Sequence, residues 1–408
     1  MNRVFWKHLA LPTILILGAI ALRVAASPLL IDDAYITFRY ARNLAAGAGF
    51  VYNVGERVLG TSTPFFTILL ALAAALRISP EFASVMLGVA SDALLVMLFV
   101  ALGAYLKQFW LGVMVGLLVG VYSQIVLAAV SGMETELYAL LVVAALVLYV
   151  RQRIGWAVVC GALASWTRPE GGIVLVAIFV ATLWRREWRW REWLAIPLIL
   201  MPWALFSFSY FGSLLPHSVL AKVAVYPTNE QPWHNLVQII WTLATPLFLA
   251  PGLFSSLFLS EQGIVLNWIL GGLTILFSLA LILGIWSTRS SRANVIALWF
   301  MLDLAFFALP NRYLFPWYTV PLYGVAFFLA GWGALELTRR FEPKGWQKLG
   351  HSLAFGIIAL VAVVMLIQTF FEITVQRSTI SSREEMYLCI GSELVAPHSS
   401  VVNDTSVR

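Results

Sequence analysis

The sequence predicts an all-α fold: a polytopic transmembrane helical bundle. Three observations carry this. Hydrophobic residues make up 61% of the chain and charged residues only 11%. The mean hydropathy is +0.87. Apolar runs of helix length recur through most of the 408 residues, without the period-two alternation of a membrane barrel. In lipid the backbone must satisfy its own hydrogen bonds, so such runs form helices, and a soluble fold is excluded.

The elements follow in order. The opening MNRVFWKH and the apolar stretch to about Ala26 lack a small-x-small cleavage site and read as a retained first helix. Further spans are expected near 82–106, 109–130, 136–150, 154–167, 171–184, 193–210, 263–286, 294–309, 317–337 and 350–371, which with 9–29 makes about eleven. Two apolar stretches are read as interfacial or re-entrant. Residues 62–77 are short for a span, and 236–259 is interrupted by Pro246, Pro251 and Gly252. With neither crossing and the N-terminus inside, every strongly basic loop falls in the cytoplasm: Lys107, Arg151 and Arg153, Arg185 to Arg191, Arg289 and Arg292, and Arg339 to Lys348. The net charge of +6 is thus a topology signal, and nucleic acid is not implied. Cys160 and Cys389 differ too much in context to suggest a disulfide or a metal pair.

The outer face then collects most polar motifs, beginning with Asp32 and Asp33 just past the first span. Ionisable residues near membrane depth are costly and tend to be functional. Either aspartate can N-cap an amphipathic helix over about Ala34–Ala46, closed by Gly47 and Gly49. On that helix Tyr35, Arg39, Arg42 and Asn43 share one face, and Phe38, Ala41 and Leu44 another.

The run Asp32-Asp33-Ala34-Tyr35-Ile36-Thr37-Phe38-Arg39-Tyr40-Ala41-Arg42-Asn43, followed by Gly49-Phe50-Val51-Tyr52-Asn53-Val54-Gly55-Glu56-Arg57, resembles the first outer loop of bacterial GT-C glycosyltransferases. The likeness is greatest to polyprenyl-phosphate-arabinose arabinofuranosyltransferases and protein-mannosyltransferase-like membrane enzymes. Supporting motifs are Ser131 to Glu136, Thr167 to Gly171, Gly212 to His217 with Ala221-Lys222-Val223, and Arg312-Tyr313 to Tyr318. Two positions depart from the pattern: Leu59, where an acid is expected, and His217, where an amide is commoner.

Outside the cytoplasm nucleotide sugars are unavailable, so an external transferase draws on a sugar carried by a lipid phosphate, already a good leaving group. What remains is one carboxylate to accept the proton of an attacking hydroxyl, with cations to hold the departing phosphate. A single displacement inverts the anomeric centre. The resemblance implies that Asp32 or Asp33 is this base. Candidates for the phosphate clamp are Arg39, Arg57, Arg168, Lys222 and Arg312, with Tyr313 beside the last; lipid headgroups are the alternative partners of each. Glu134 and Glu136 either cap the helix after Ser131, or Glu134 orients the acceptor or a metal. Glu170 and His217 present the same choice between loop hydrogen bonding and a ligand role. No ligand spacing demands a cofactor, although the outer carboxylates can hold a divalent cation.

The expected partners are a polyprenyl-phosphate sugar donor, a cell-envelope acceptor (glycan, lipid or protein) and membrane lipid, at the outer face of the cytoplasmic (inner) membrane. The sugar, hexosyl or pentosyl, is not read from the sequence. Two rival readings are a lipid or solute transporter with Asp92 and Asp303 as pathway residues, and a non-catalytic assembly protein. Residues 1–375 are expected to form the transmembrane domain, with 31–81 as its first outer loop. Residues 376–408 read as a short extracytoplasmic tail, either naturally short or the start of a truncated soluble domain.

Overall fold

The computed structural model describes residues 3–226, 228, 230–244, 261–310, 312–341, 356 and 358–379. The expectations for the later part of the 236–259 stretch, for Cys389 and for the tail beyond residue 379 fall outside these. Among the described residues the architecture is all-α, and an isolated antiparallel bridge between Thr228 and Arg312 takes the place of any sheet.

The order is α1 (Arg3–Ala26), α2 (Asp32–Ala45), α3 (Pro64–Ala75), α4 (Pro80–Tyr105), α5 (Phe109–Val121), α6 (Ser123–Val130), α7 (Thr135–Val150) and α8 (Ile154–Thr167). There follow α9 (Gly172–Trp184), α10 (Ala195–Phe211), α11 (His217–Val225), α12 (His234–Ala244), α13 (Glu261–Thr288), α14 (Asn294–Ala308), α15 (Val320–Phe341) and α16 (Ile358–Thr379). Four segments are long and apolar enough to cross a membrane: α4, α15, α16 and the stretch Trp190–Phe211 that contains α10. The chain is therefore a multi-pass membrane bundle. Most of the other apolar helices are shorter. At 12 residues, α3 reaches only about 18 Å, against a hydrocarbon core of about 30 Å. It packs its Phe66, Leu70 and Ala71 against Phe38 and Ala41 of α2.

The expected single span over 109–130 is broken. Tyr122 is extended (φ −74°, ψ 124°), and α5 and α6 meet there at 60°. Its ring is buried edge-on against Tyr323 and Phe327, with centroids 4.7 and 5.7 Å away. A break inside lipid is tolerated only where the freed carbonyls find donors. Here Arg23 of α1 donates from Nη2 to the Val119 carbonyl at 3.1 Å and from Nη1 to that of Gly120, and Thr369 Oγ1 donates to the Val121 carbonyl at 2.6 Å.

Arg23 is also ion-paired to Asp92, both fully buried. Asp92 thus has a partner within the bundle that sequence spacing did not reveal. Glu136, fully buried on α7, stands within electrostatic reach of both. Asp92→Asn leaves Arg23 without its ion-pair partner inside the bundle and is therefore expected to cost about 3–5 kcal/mol, read by thermal unfolding.

The helices connect two chemically different ends. At one end, Arg151 lies over Tyr105 at 5.6 Å, Arg185 donates to the Ser291 carbonyl at 2.6 Å, and Arg292 pairs with Glu187. At the other, the Leu29 and Ile31 amides donate to the Val130 and Ser131 carbonyls at 3.2 and 3.1 Å, and Asn235 donates to the Phe307 carbonyl at 3.1 Å. The polar motifs gather at this second end.

Candidate active site

Helix α2, which follows α1, starts one residue earlier than a cap at Asp32 allows and two earlier than a cap at Asp33. Ile31 is the extended cap residue, and Asp32 and Asp33 occupy the first turn. Both carboxylates therefore sit inside the first turn, at the positive end of the helix dipole, and neither is the cap. The helix closes as expected, with Ala48 N–H bonded to the Asn43 carbonyl and Gly47 N–H to that of Leu44. The buried face is Ala34, Thr37, Phe38, Tyr40 and Ala41.

Two turns bring the other ionisable groups toward Asp33. Ser131 to Glu134 reverses the chain at Gly132, whose φ of +82° disfavours any side chain. A Cβ there would also stand 2.8–3.1 Å from Leu30, Phe38 and Ala34. Arg168 precedes Pro169 and is held extended (φ −147°, ψ 139°). The turn Pro169–Gly171 then folds so close to α8 that a Cβ on Gly171 would lie 2.3–2.4 Å from the Ala164 and Ser165 backbone.

These turns build a buried ion cluster. Arg168 is 3% exposed and Glu134 5%. Arg168 Nε donates to Glu170 Oε1 at 2.6 Å, and its Nη1 lies 3.8 Å from Glu134 Oε1. The guanidinium also lies 5.2 Å from the Tyr138 ring centroid and 5.0 Å from that of Tyr318. Burial pushes the Glu134 carboxyl above its ordinary value, and Arg168 pulls the other way. Glu134 holds the cap position of α7 but makes no capping bond with its side chain, and Glu136 lies in the first turn of that helix. The capping alternative therefore gives way to the ion pair for Glu134. Asp303, buried on α14, stands within electrostatic reach of Glu170 and Arg168.

A cavity of about 270 Å³ opens beside this cluster, lined among others by Asp33, Glu134, Arg168, Glu170 and Lys222. Lys222 Nζ is 4.0 Å from Asp33 Oδ2 and 4.7 Å from the centre of the Phe315 ring. Both side chains are about half-exposed, whereas Arg168 and Glu134 are buried in the cavity floor. Asp32 is not among the lining residues.

The remaining sequence candidates are engaged with other partners. Arg39 donates to the Tyr52 carbonyl at 2.9 Å and to Asn53 Oδ1 at 3.2 Å. Arg57 lies over the Tyr210 ring at 4.7 Å. Arg312 donates to the Val223 carbonyl at 2.6 Å, and Tyr313 stacks on Tyr226 at 5.3 Å. His217 bonds the backbone of Leu59. None of these five lines the cavity.

Sequence reading passed over a polar strip and an aromatic wall. Thr37, Thr61 and Thr63 line the cavity with their hydroxyls 3.1–3.5 Å apart in a chain, Thr37 to Thr63 to Thr61. Trp317, Tyr318, Phe306 and Phe307 supply the rings, with Phe307 stacked on Tyr318 at 5.1 Å. A hydroxyl strip facing aromatic faces suits a polyol with apolar C–H edges. The signal for the wall was present in Phe315-Pro316-Trp317-Tyr318, whereas the threonines, divided between α2 and the segment before α3, carried none. Among the described residues no three His, Cys, Asp or Glu side chains converge closely enough to hold a metal ion.

No protein-family model matches the chain, and neither does any curated protein sequence. Solved structures do match. ArnT from Cupriavidus metallidurans bound to undecaprenyl phosphate is 16% identical, with a TM-score of 0.55 over 92% of this chain and 73% of that one. The same enzyme in the apo state gives 16% and 0.56, over 84% and 62%. The archaeal oligosaccharyltransferase AglB from Archaeoglobus fulgidus, in complex with an inhibitory peptide and a dolichol-phosphate, gives 13% and 0.54, over 92% and 56%. This chain thus spans between about half and three quarters of those proteins. The likeness is one of fold.

Proposed function

We propose that this protein transfers a sugar from a polyprenyl-phosphate-linked donor to a cell-envelope acceptor at the outer face of the cytoplasmic membrane. The observation that carries the reading is the cavity in which one exposed carboxylate, Asp33, faces one exposed cation, Lys222, between a hydroxyl strip and an aromatic wall. ArnT and AglB, with the same fold, have been seen with undecaprenyl phosphate and dolichol-phosphate respectively, which supports a lipid phosphate as part of the donor.

In this reading Asp33 takes the proton of the acceptor hydroxyl as its oxygen attacks the anomeric carbon. The bond to the phosphate oxygen breaks, its electron pair leaves with the phosphate, and Lys222 meets the charge. The configuration inverts. Arg168 is already engaged by Glu134 and Glu170, so its part is to fix the cavity floor and not to hold the phosphate. The gathering of basic loops at the opposite end of the bundle supports about eleven crossings with the cavity facing outward.

Transport is the weaker reading, because its pathway candidate Asp92 is paired with Arg23 inside the bundle. The test is transfer from radiolabelled polyprenyl-phosphate sugars, pentosyl and hexosyl, by the full chain in proteoliposomes. Lys222→Met is expected to raise the KM for the donor at least about tenfold, the loss of one charge-assisted hydrogen bond. Absence of transfer from every donor by the wild type, together with uptake of a solute, would overturn the proposal.

A further inference from the structure

α11 carries Ser218, Val219 and Lys222 to the cavity wall. Yet none of its 9 residues is buried, so apolar packing does little to fix its position. Two polar ties do that work. At its C-terminal end Arg312 Nη1 donates to the Val223 carbonyl at 2.6 Å. At its start the tie is reciprocal: Leu59 N–H donates to His217 Nδ1 at 3.1 Å, and His217 N–H donates to the Leu59 carbonyl at 2.8 Å.

The Leu59 side of this tie is rigid. Leu59 is 1% exposed and clusters with Tyr40 and Phe50. The Tyr40 hydroxyl donates to the Val58 carbonyl at 2.6 Å and accepts from Gly60 N–H at 2.8 Å, so the segment on both sides of Leu59 is pinned to α2. α2 also carries Asp33. The chain of contacts therefore runs from Asp33 through α2 and Tyr40 to Leu59, then through His217 to Lys222.

We infer that His217 is a positioning residue: its unprotonated Nδ1 clips α11 to the first outer loop, holding Lys222 opposite Asp33, and protonation removes the side-chain half of the clip. An imidazolium has donors at both nitrogens, so the Leu59 N–H would then meet another N–H. Histidine is the side chain whose charge changes between about pH 5 and 8. The ionisable groups on the packed elements are each otherwise engaged. Glu56 accepts from Asn53 at 3.1 Å, Arg57 lies over Tyr210, Tyr40 is bonded into the backbone, Lys222 faces Asp33 and Arg312 holds Val223. Among the described residues none of them bonds to the imidazole.

The role of the clip in placing Lys222 rests on the reading of that lysine as the donor-phosphate contact, so two readouts on the full chain in nanodiscs separate the ideas. Asparagine can present its side-chain oxygen where Nδ1 stands, and it does not titrate. Hydrogen exchange of the 57–61 segment, corrected for the intrinsic effect of pH, should quicken about fivefold or more in the wild type from about pH 7.5 to 5.5. His217→Asn should show no such change, and His217→Ala should exchange fast at both. Binding of undecaprenyl phosphate should weaken on acidification about fivefold more in the wild type than in His217→Asn, a comparison in which titration of the lipid cancels. Equal protection of the wild type at both pH values, or equal loss of binding in the wild type and His217→Asn, would overturn the inference. A pH-dependent clip with no lipid phosphate bound by any variant would instead remove the donor reading and leave the clip in place.

Discussion

Replacement of Asp33 by asparagine is expected to lower the turnover of sugar transfer by about 10²–10⁴-fold with little change in donor binding, the usual contribution of a positioned proton acceptor. Asparagine keeps the shape and the hydrogen-bonding capacity but cannot accept a proton. Asp33 lines the cavity and lies 4.0 Å from Lys222, which is where an acceptor hydroxyl and a leaving phosphate would meet. Asp32, one residue earlier in the same helical turn, does not line it. Asp32→Asn is therefore expected to lose much less, and the ratio of the two rates, measured with one radiolabelled donor, decides between the aspartates. A larger loss in Asp32→Asn would reverse the assignment.

The second large effect is on stability. Arg168→Ala is expected to cost about 3–5 kcal/mol, because it leaves Glu134 and Glu170 without the charge that compensates them in the cavity floor. Thermal unfolding in nanodiscs measures it. The deficit should depend on pH in a fixed direction. Burial already raises the Glu134 carboxyl, and Arg168 opposes that rise. Without Arg168 the folded state holds its proton to still higher pH, while the unfolded chain releases it in the ordinary carboxylate range. Stability is then lost as pH rises from the ordinary value to the raised one, and regained on acidification. The gap between Arg168→Ala and wild type should therefore narrow as pH falls. Arg168→Lys should retain part of the loss, since one ammonium cannot reproduce the fork toward two carboxylates.

The fold class was legible because composition alone forces it: a chain this apolar must close its backbone bonds within helices. The grouping of motifs was legible too, since basic loops sort the connections into two sets and each set converges in space. What could not be read was local geometry within lipid. Nothing in the run Val119-Gly120-Val121-Tyr122 announces a 60° break, because it contains no proline and its hydropathy is continuous. Likewise, Arg168, Arg312 and Arg39 look equivalent as outer cations. Their partners lie 2, 89 and 13–14 residues away, and only folding shows that one is sealed among glutamates while the others brace backbone carbonyls. Leu59 and His217 were noted separately as departures from a pattern. Their distance of 158 residues in sequence hid the fact that they bond each other.

The donors that Arg23 extends to Val119 and Gly120 give the first helix a status its composition conceals. By hydropathy it is an anchor, interchangeable with any signal-anchor of similar length. In the bundle it completes the fifth helix, which ends at Val121 with its last carbonyls turned to Arg23 and Thr369. A generic anchor grafted in its place would deliver the chain to the membrane and strand those carbonyls there. The first helix is thus not a modular address: it lends Arg23 to the interior, and chimaeras that exchange it need to carry that residue with its register intact.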